Sequence, residues 1–526
     1  MLFFKVMVME KGAAQMITIL HYHDLLTQNI DAQDLGIIHN ALLQEGQLQT
    51  EGRNIMESKN EEMNNMTADN PLGCAPVAGL IRKYAVPSII SLLIGAAYNI
   101  SDQVFIGHAV GMLGNAATNV AFPLTTLVNA IAQLIGVGAA VNFNINMGAK
   151  KPREAKEFIG TGITLISICG LLLMCFVLLL KTPILLLFGA TENVLPYANL
   201  YLGITAFGLP FLLFTQAGSQ LIRADGSPKY AMICTAFGAV LDVFLNWLFM
   251  FVFDWGIQGA ASSTVIAQIV SFCICAWYFP RFKAFKIGIE AMRVKLKNVI
   301  AIVKLGTSNF INQSVMMVVN IVMNNTLTYY GAFTVYGSDI PLAVAGVIVK
   351  LNSIMIAFSV GLAQGCQPIL GFNMGAKNYA RVKETYKKAV FAALIFSVLA
   401  FLAFQLFPRQ LVSIFGVGDE LYFEFAESYM RIFMMMVCIF GIQPLTVNYF
   451  TGIGYARQGI MLSLSRQGFF LLPLLIVLPT ICGLNGVLYA GPIADALACA
   501  LSLFLVIRNF RVLTGLQQYA GVSSAI

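Results

Sequence analysis

Charge is scarce in this 526-residue chain: 32 lysines and arginines and 25 acids make up 11% of it. A soluble globular protein carries about 25%. That deficit excludes a soluble single-core enzyme and a disordered scaffold, whose chains are rich in charge. Histidine is almost as rare, with four in all, and no glutamate falls well inside an apolar run. A membrane-embedded enzyme would need a nucleophile and base, or metal ligands, facing one cavity, and the sequence offers neither set. A Gly-x-x-x-x-Gly-Lys-Ser/Thr loop is also missing, so nothing suggests ATP. The formal charge of +7 forms no basic stripe, which argues against nucleic acid. Most of the ten cysteines lie inside apolar segments and read as small buried hydrophobes rather than a disulfide framework.

What is abundant is apolar sequence, 58% of the chain. Residues 1–70 stand apart from it, with ten acids, four bases and three of the four histidines (His21, His23, His39). They show no signal-peptide pattern. They read as a polar, disordered extension or as a mis-assigned start upstream of a true one near Met56. After Pro71, stretches long enough to cross about 30 Å of hydrocarbon recur twelve times. They fall near 84–107, 115–144, 158–180, 193–218, 230–253, 256–279, 299–329, 341–369, 388–408, 421–448, 458–480 and 484–508. Placing the termini and the even-numbered loops on one side gathers 23 of the 28 later lysines and arginines there, against two on the other. The positive-inside rule then puts both termini in the cytoplasm.

The chain also repeats itself. Asn146-Met-Gly-Ala-Lys150 recurs as Asn373-Met-Gly-Ala-Lys377, an offset of 227, which also relates Gly138 to Gly365 and Gly256 and Gly259 to Gly483 and Gly486. The copies lie six spans apart, so they share one orientation. The expectation is an all-α polytopic membrane protein, with twelve transmembrane helices in two pseudo-symmetric six-helix bundles. Its divisions are 71–280, a cytoplasmic linker at 281–298, 299–512, and a cytoplasmic tail at 513–526. Parallel repeats of this kind are characteristic of secondary transporters. In the linker, Phe285, Ile289, Met292 and Leu296 follow helical spacing against basic residues, which predicts an amphipathic helix at the membrane surface.

An ionisable residue within a span costs about 2.5–3.5 kcal/mol on insertion scales and is a functional candidate by default. Three acids qualify: Asp102, Asp242 and Asp495. Asn99 and Tyr98 share a helix face with Asp102, and Asn246 shares one with Asp242. A carboxylate with amide and hydroxyl oxygens suits a small hard cation, and the same carboxylate could instead carry a proton. Asp495 has a rival explanation in Arg466, one span earlier. The second lobe offers amides where the first has acids, among them Gln313 and Gln443, and such groups often join helices. His108, at a span end, makes no metal site alone.

Residues Tyr98 to Gly107, both Asn-Met-Gly-Ala-Lys turns, Arg223-Ala-Asp-Gly226, and Gly256-Ile-Gln-Gly-Ala-Ala261 with its partner from Gly483 together resemble the bacterial MATE (multidrug and toxic compound extrusion) family. The resemblance covers roughly residues 72–512. It implies two six-helix bundles around a central cavity in the plasma membrane. It also implies export of organic cations against inward Na⁺ or H⁺, by a monomer that uses no other cofactor. The coupling site it implies lies in the first lobe: Asp102, with Asp242 and Asn246 in an order inverted relative to many relatives, and Thr264 supplying a hydroxyl. Na⁺ would sit at Asp102, Asp242 and Asn246. Gln216 would supply an amide, and Tyr98, Asn99, Gln313, Gln443 and Asp495 would support the site or its cargo. The nearest rival is a lipid-linked precursor flippase of the same superfamily, which tends to line its cavity with arginines.

Overall fold

In hydrocarbon a backbone N–H or C=O finds no water, so a spanning segment must satisfy its own hydrogen bonds, as a helix does. The computed structural model describes residues 70–523 except Ser338 and 415–419, and among the described residues there is no strand. Residues 1–69, the polar extension of the sequence reading, lie outside the described residues.

Among the described residues twelve long helices follow one another. The first lobe holds α1 (Val77–Ala109), α2 (Met112–Gly148), α3 (Pro152–Leu187), α4 (Leu195–Ala224), α5 (Pro228–Val252) and α6 (Gly256–Tyr278). The second holds α7 (Leu296–Gly331), α8 (Asp339–Gly375), α9 (Tyr379–Leu406), α10 (Glu420–Phe433 with Val437–Gly452), α11 (Ala456–Cys482) and α12 (Leu484–Ser523). Ten are long and apolar enough to cross a bilayer, and the two pieces of α10, bent by 44°, make an eleventh. The twelfth, α7, is 36 residues long, and its lysines, asparagines and glutamine lower its hydropathy. The helix α12 runs on through Ser523, into the segment expected as the tail.

Breaks in the helices have local causes. In α4 a 3₁₀ turn at Ala206–Gly208 precedes Pro210, whose ring nitrogen cannot donate to the preceding turn. In α3 the backbone departs from helix at Leu180, three residues before Pro183. Faces turned away from the bundle carry exposed Leu171, Leu172, Phe176 and Leu179, as a helix in lipid requires.

The internal repeat is visible in the backbone. Lys150 and Lys377 both adopt positive φ, 59° and 57°, in the turns after α2 and α8. Gly226 and Gly454 do the same at 83° and 85°. Between lobes, α2 packs along α7 and α8 along α1, which are equivalent pairs under the repeat. Small residues set these contacts, because apolar lipid gives helices no hydrophobic reason to associate and close backbone packing must hold them. Where α2 crosses α8, a Cβ on Gly148 would run into the Phe372 carbonyl, and one on Gly375 into the Ile145 carbonyl. Both pairs of positions differ by 227, so the crossing is reciprocal. Asn142 Nδ2 donates to the Ala301 carbonyl at 3.3 Å, and Arg223 Nη1 donates to Gln364 Oε1 at 2.9 Å and Ser88 Oγ at 3.0 Å. These contacts hold the lobes together toward the end of the molecule that is rich in lysine and arginine.

Between the lobes the expected amphipathic helix does not form. Residues 282–295 make an irregular strap with one 3₁₀ turn, Ile289–Met292. Its backbone groups are taken up by the first lobe instead. Asp225 accepts from Lys283 N, Ala284 N and Tyr278 Oη at 2.6, 2.9 and 2.7 Å. Burial pushes that carboxyl up to about 6, against the pull of these donors. Thr164 Oγ1 donates to the Met292 carbonyl at 2.9 Å, and the Ala291 carbonyl fills the space over Gly160. Phe282 and Phe285 pack edge-on against Phe143.

The reciprocal crossing makes a paired prediction. Gly148→Val and Gly375→Val should each destabilise the closed form by about 1–3 kcal/mol, as overpacking does. Thermal unfolding of the purified protein reads this out. A loss confined to one of the two positions would contradict the symmetric contact.

Candidate cation site

Asp102 lies in the last two turns of α1, and Asp242 and Asn246 lie one turn apart on α5. Helical spacing puts Asn246 on the face of Asp242, and α1 packs along α5. The Asn246 amide therefore reaches both acids: its Nδ2 donates to Asp102 Oδ1 at 3.0 Å and to Asp242 Oδ2 at 3.0 Å. The other end of the amide is fixed by α6, where Ser263 Oγ donates to Asn246 Oδ1 at 2.6 Å. That bond orients the NH₂ toward the carboxylates.

Burial is nearly complete on α5 and α6 and partial at Asp102. Asp242 is 2% exposed, while Asn246 and Ser263 are fully buried. Asp242 Oδ1 is buried and accepts no hydrogen bond, yet Thr264, Ser263 and Tyr98 stand close enough to act on the carboxylate. A lone pair so placed is costly unless a proton or a cation occupies it. Tyr98 and Tyr201 both lie within electrostatic reach of the two acids and beside Thr264. Just past Asn246, α5 widens into a π turn over Leu248–Val252, a distortion frequent at functional sites. Gly259 lets α6 close against the Phe249 backbone there, bringing Ser263 and Thr264 to the site.

The expected residues divide cleanly. Asp102, Asp242, Asn246, Thr264 and Tyr98 come together. Asn99 does not: its side chain is exposed and bonds back to the Gly95 carbonyl at 2.7 Å. Among the described residues no hydrogen bond joins Gln216 or Gln313 to the cluster. Gln443 instead ties α10 to α11 through the Leu462 carbonyl at 3.0 Å. Asp495 forms a short bond to Arg466 Nε, and the Arg466 guanidinium sits 4.9 Å from the Phe440 ring centre. Sequence reasoning missed Ser263 and Tyr201. The Ser-Ser-Thr run at 262–264 was the available signal for the first, and a tyrosine inside an apolar span for the second.

Among the described residues no three histidine, cysteine, aspartate or glutamate side chains gather as a transition-metal site would need. The arrangement fits a proton or a hard monovalent cation held by two carboxylates and hydroxyl oxygens.

Comparison with known proteins agrees with this architecture. The MatE family model matches residues 87–248 and 309–477, one block in each lobe. The multidrug export protein MepA of Staphylococcus aureus (strain N315) is 24% identical, over 83% of this chain and 95% of that protein. Among solved structures, the outward-facing conformation of a multidrug resistance MATE family transporter of the MOP superfamily superposes with TM-score 0.78 at 18% identity, over 86% of this chain and 98% of the other. A MOP superfamily transporter from Pyrococcus furiosus, described as having a binding pocket of reverse polarity, gives TM-score 0.78 at 19% identity, over 84% and 98%.

The Arg466–Asp495 pair tests its own structural role. Breaking a buried pair by removing one partner costs about 3–5 kcal/mol, whereas replacing both by apolar residues costs far less. Arg466→Met should therefore lower thermal stability sharply, and Arg466→Met with Asp495→Leu should recover most of it. Independent, additive losses in the double variant would show that the two residues serve separate ends.

Proposed function

The chain belongs to the MatE family, a family of membrane transporters, and on that premise we propose that it is a cation-coupled antiporter exporting organic cations by alternating access. The observation that carries the reading is the shared amide: Asn246 bridges Asp102 and Asp242 in a lobe whose spans hold no other acid near them. Two carboxylates on one NH₂ group repel each other, and a proton or Na⁺ relieves that repulsion. The Thr264, Ser263 and Tyr98 oxygens complete a ligand set that either ion can use.

Coupling then follows from linkage. The ion must bind one access state better than the other, and the cargo must compete with it or favour the opposite state. One charge moving down 100 mV releases about 2.3 kcal/mol, which sustains roughly a 50-fold gradient of an uncharged cargo. By the positive-inside rule the lysine-rich end, where the lobes are held together, faces the cytoplasm, with both termini. The state described here is then the outward-facing one, in a bacterial plasma membrane, with the protein working as a monomer.

Coupling belongs to the first lobe alone. At the repeat offset of 227, the places of Asp102, Asp242, Asn246, Ser263 and Thr264 are taken by Tyr329, Phe469, Pro473, Ala490 and Gly491. A lipid-linked anion as cargo would need free buried cations. Arg223 is committed to the seam between lobes and Arg466 to Asp495, which weighs against that alternative.

Asp102→Asn and Asp242→Asn should each reduce export of a fluorescent organic cation to background while protein level in the membrane is kept. Everted vesicles driven by a Na⁺ gradient, and separately by a pH gradient, name the ion. Full export by both variants would contradict the assigned site.

A further inference from the structure

The repeat exposes a second site. On α3, Lys156, Glu157, Gly160 and Thr161 sit at the positions of Lys383, Glu384, Lys387 and Lys388 on α9, again 227 residues apart. In the first lobe this face is covered. The strap lays its Ala291 carbonyl on Gly160, its Lys295 pairs with Glu157 at 2.7 Å, and Lys156 lies 6.0 Å from the ring centre of Phe285. Among the described residues no strap covers the equivalent face of the second lobe, where the chain beyond Phe510 runs on as part of the helix α12.

What remains is a cavity of about 1010 Å³ between the start of α9 and the end of α12. Its walls carry Lys383, Lys387, Lys388 and Arg511, with Glu384 as the one acid. Lys388 neutralises Glu384 at 2.6 Å, and Lys383 donates to Thr514 Oγ1 at 3.0 Å and Gln517 Oε1 at 3.3 Å. Lys387 and Arg511 are exposed, and among the described residues neither has a hydrogen-bond or ion-pair partner. Ala380, in the first turn of α9, also lines the cavity, so the positive end of that helix dipole adds to the field. Toward the apolar part of α12 the wall is Ile507 and Phe510.

We propose that this cavity is a binding site for a phosphate-bearing anion, occupied in the membrane by the headgroup of an anionic phospholipid. Lys387 and Arg511 hold the phosphate oxygens, Lys383 and its two partners close the site from the side, and Ile507 and Phe510 meet the glycerol and upper acyl chain. Basic pockets between helices at a membrane surface take headgroups in this way. Where the first lobe stabilises its groove with its own chain, the second uses lipid.

The test reconstitutes the full chain in nanodiscs of phosphatidylcholine with and without phosphatidylglycerol, and counts retained anionic lipid by native mass spectrometry. Lys387→Gln with Arg511→Gln should lower affinity for phosphatidylglycerol about fivefold for each cation removed. Lys286→Gln with Lys297→Gln, which removes two charges from the strap side, should leave it unchanged, and Lys387→Arg should retain binding. In parallel, inorganic phosphate is added to lipid-free protein in detergent. A thermal shift lost in the same double variant would support the site and name soluble phosphate as a ligand. Equal phosphatidylglycerol retention in the two double variants, with no phosphate shift, would overturn the proposal.

Discussion

Hydrocarbon offers a buried polar group no partner, and this constraint orders the whole molecule. It makes the backbone helical, sends nearly all charge to the ends, and leaves each polar side chain inside a span to be satisfied by another side chain or by a passenger. Most are satisfied by the protein. Arg466 has Asp495, Arg223 has Gln364 and Ser88, and Gln367 has Asn448. The carboxylate of Asp242 is satisfied on one oxygen only. Other buried polar atoms lack a partner too, Arg223 Nε among them, but among the described residues Asp242 is the one carboxylate so placed, and the proposed ion would complete it.

The duplicated architecture separates what both lobes share from what one lobe has alone. Shared are the left-handed turns at Lys150 and Lys377 and the reciprocal crossing at Gly148 and Gly375. These are devices of packing, and the proposed alternating access, in which one lobe rocks against the other, would need them on both sides. The acidic cluster and the strap belong to the first lobe, and the open basic cavity belongs to the second. The asymmetries are therefore where the proposed ion site and the proposed lipid site lie on an otherwise symmetric scaffold.

Much of this was legible from residues alone. Spans, lobes and the Asp102–Asp242–Asn246 grouping follow from hydropathy, from a repeat that keeps register, and from the rarity of acids in apolar runs. Helical spacing also proposed Asn99 as a partner of Asp102, and here it fails. Residues three or four apart share a face, but Asn99 turns to the Gly95 carbonyl, a bond available inside its own helix. Ser263 was hidden because its contact with Asn246 spans a helix hairpin and depends on how closely Gly259 lets α6 approach α5. The strap at 282–295 misled for a similar reason. Its apolar spacing is helical, yet Asp225, Thr164 and Gly160 offer its backbone better partners than a helix would.

The central claim is that ion and cargo are linked through one pair of carboxylates. Its most direct test is ion release at equilibrium: purified protein in weak buffer, titrated with tetraphenylphosphonium, while a pH dye and a Na⁺-selective electrode follow the solution. The account predicts that organic-cation binding releases H⁺ or Na⁺ in proportion to sites filled, and that raising the same ion weakens the organic cation's affinity by the reciprocal factor. Binding with no release of either ion, at an affinity indifferent to both, would contradict it.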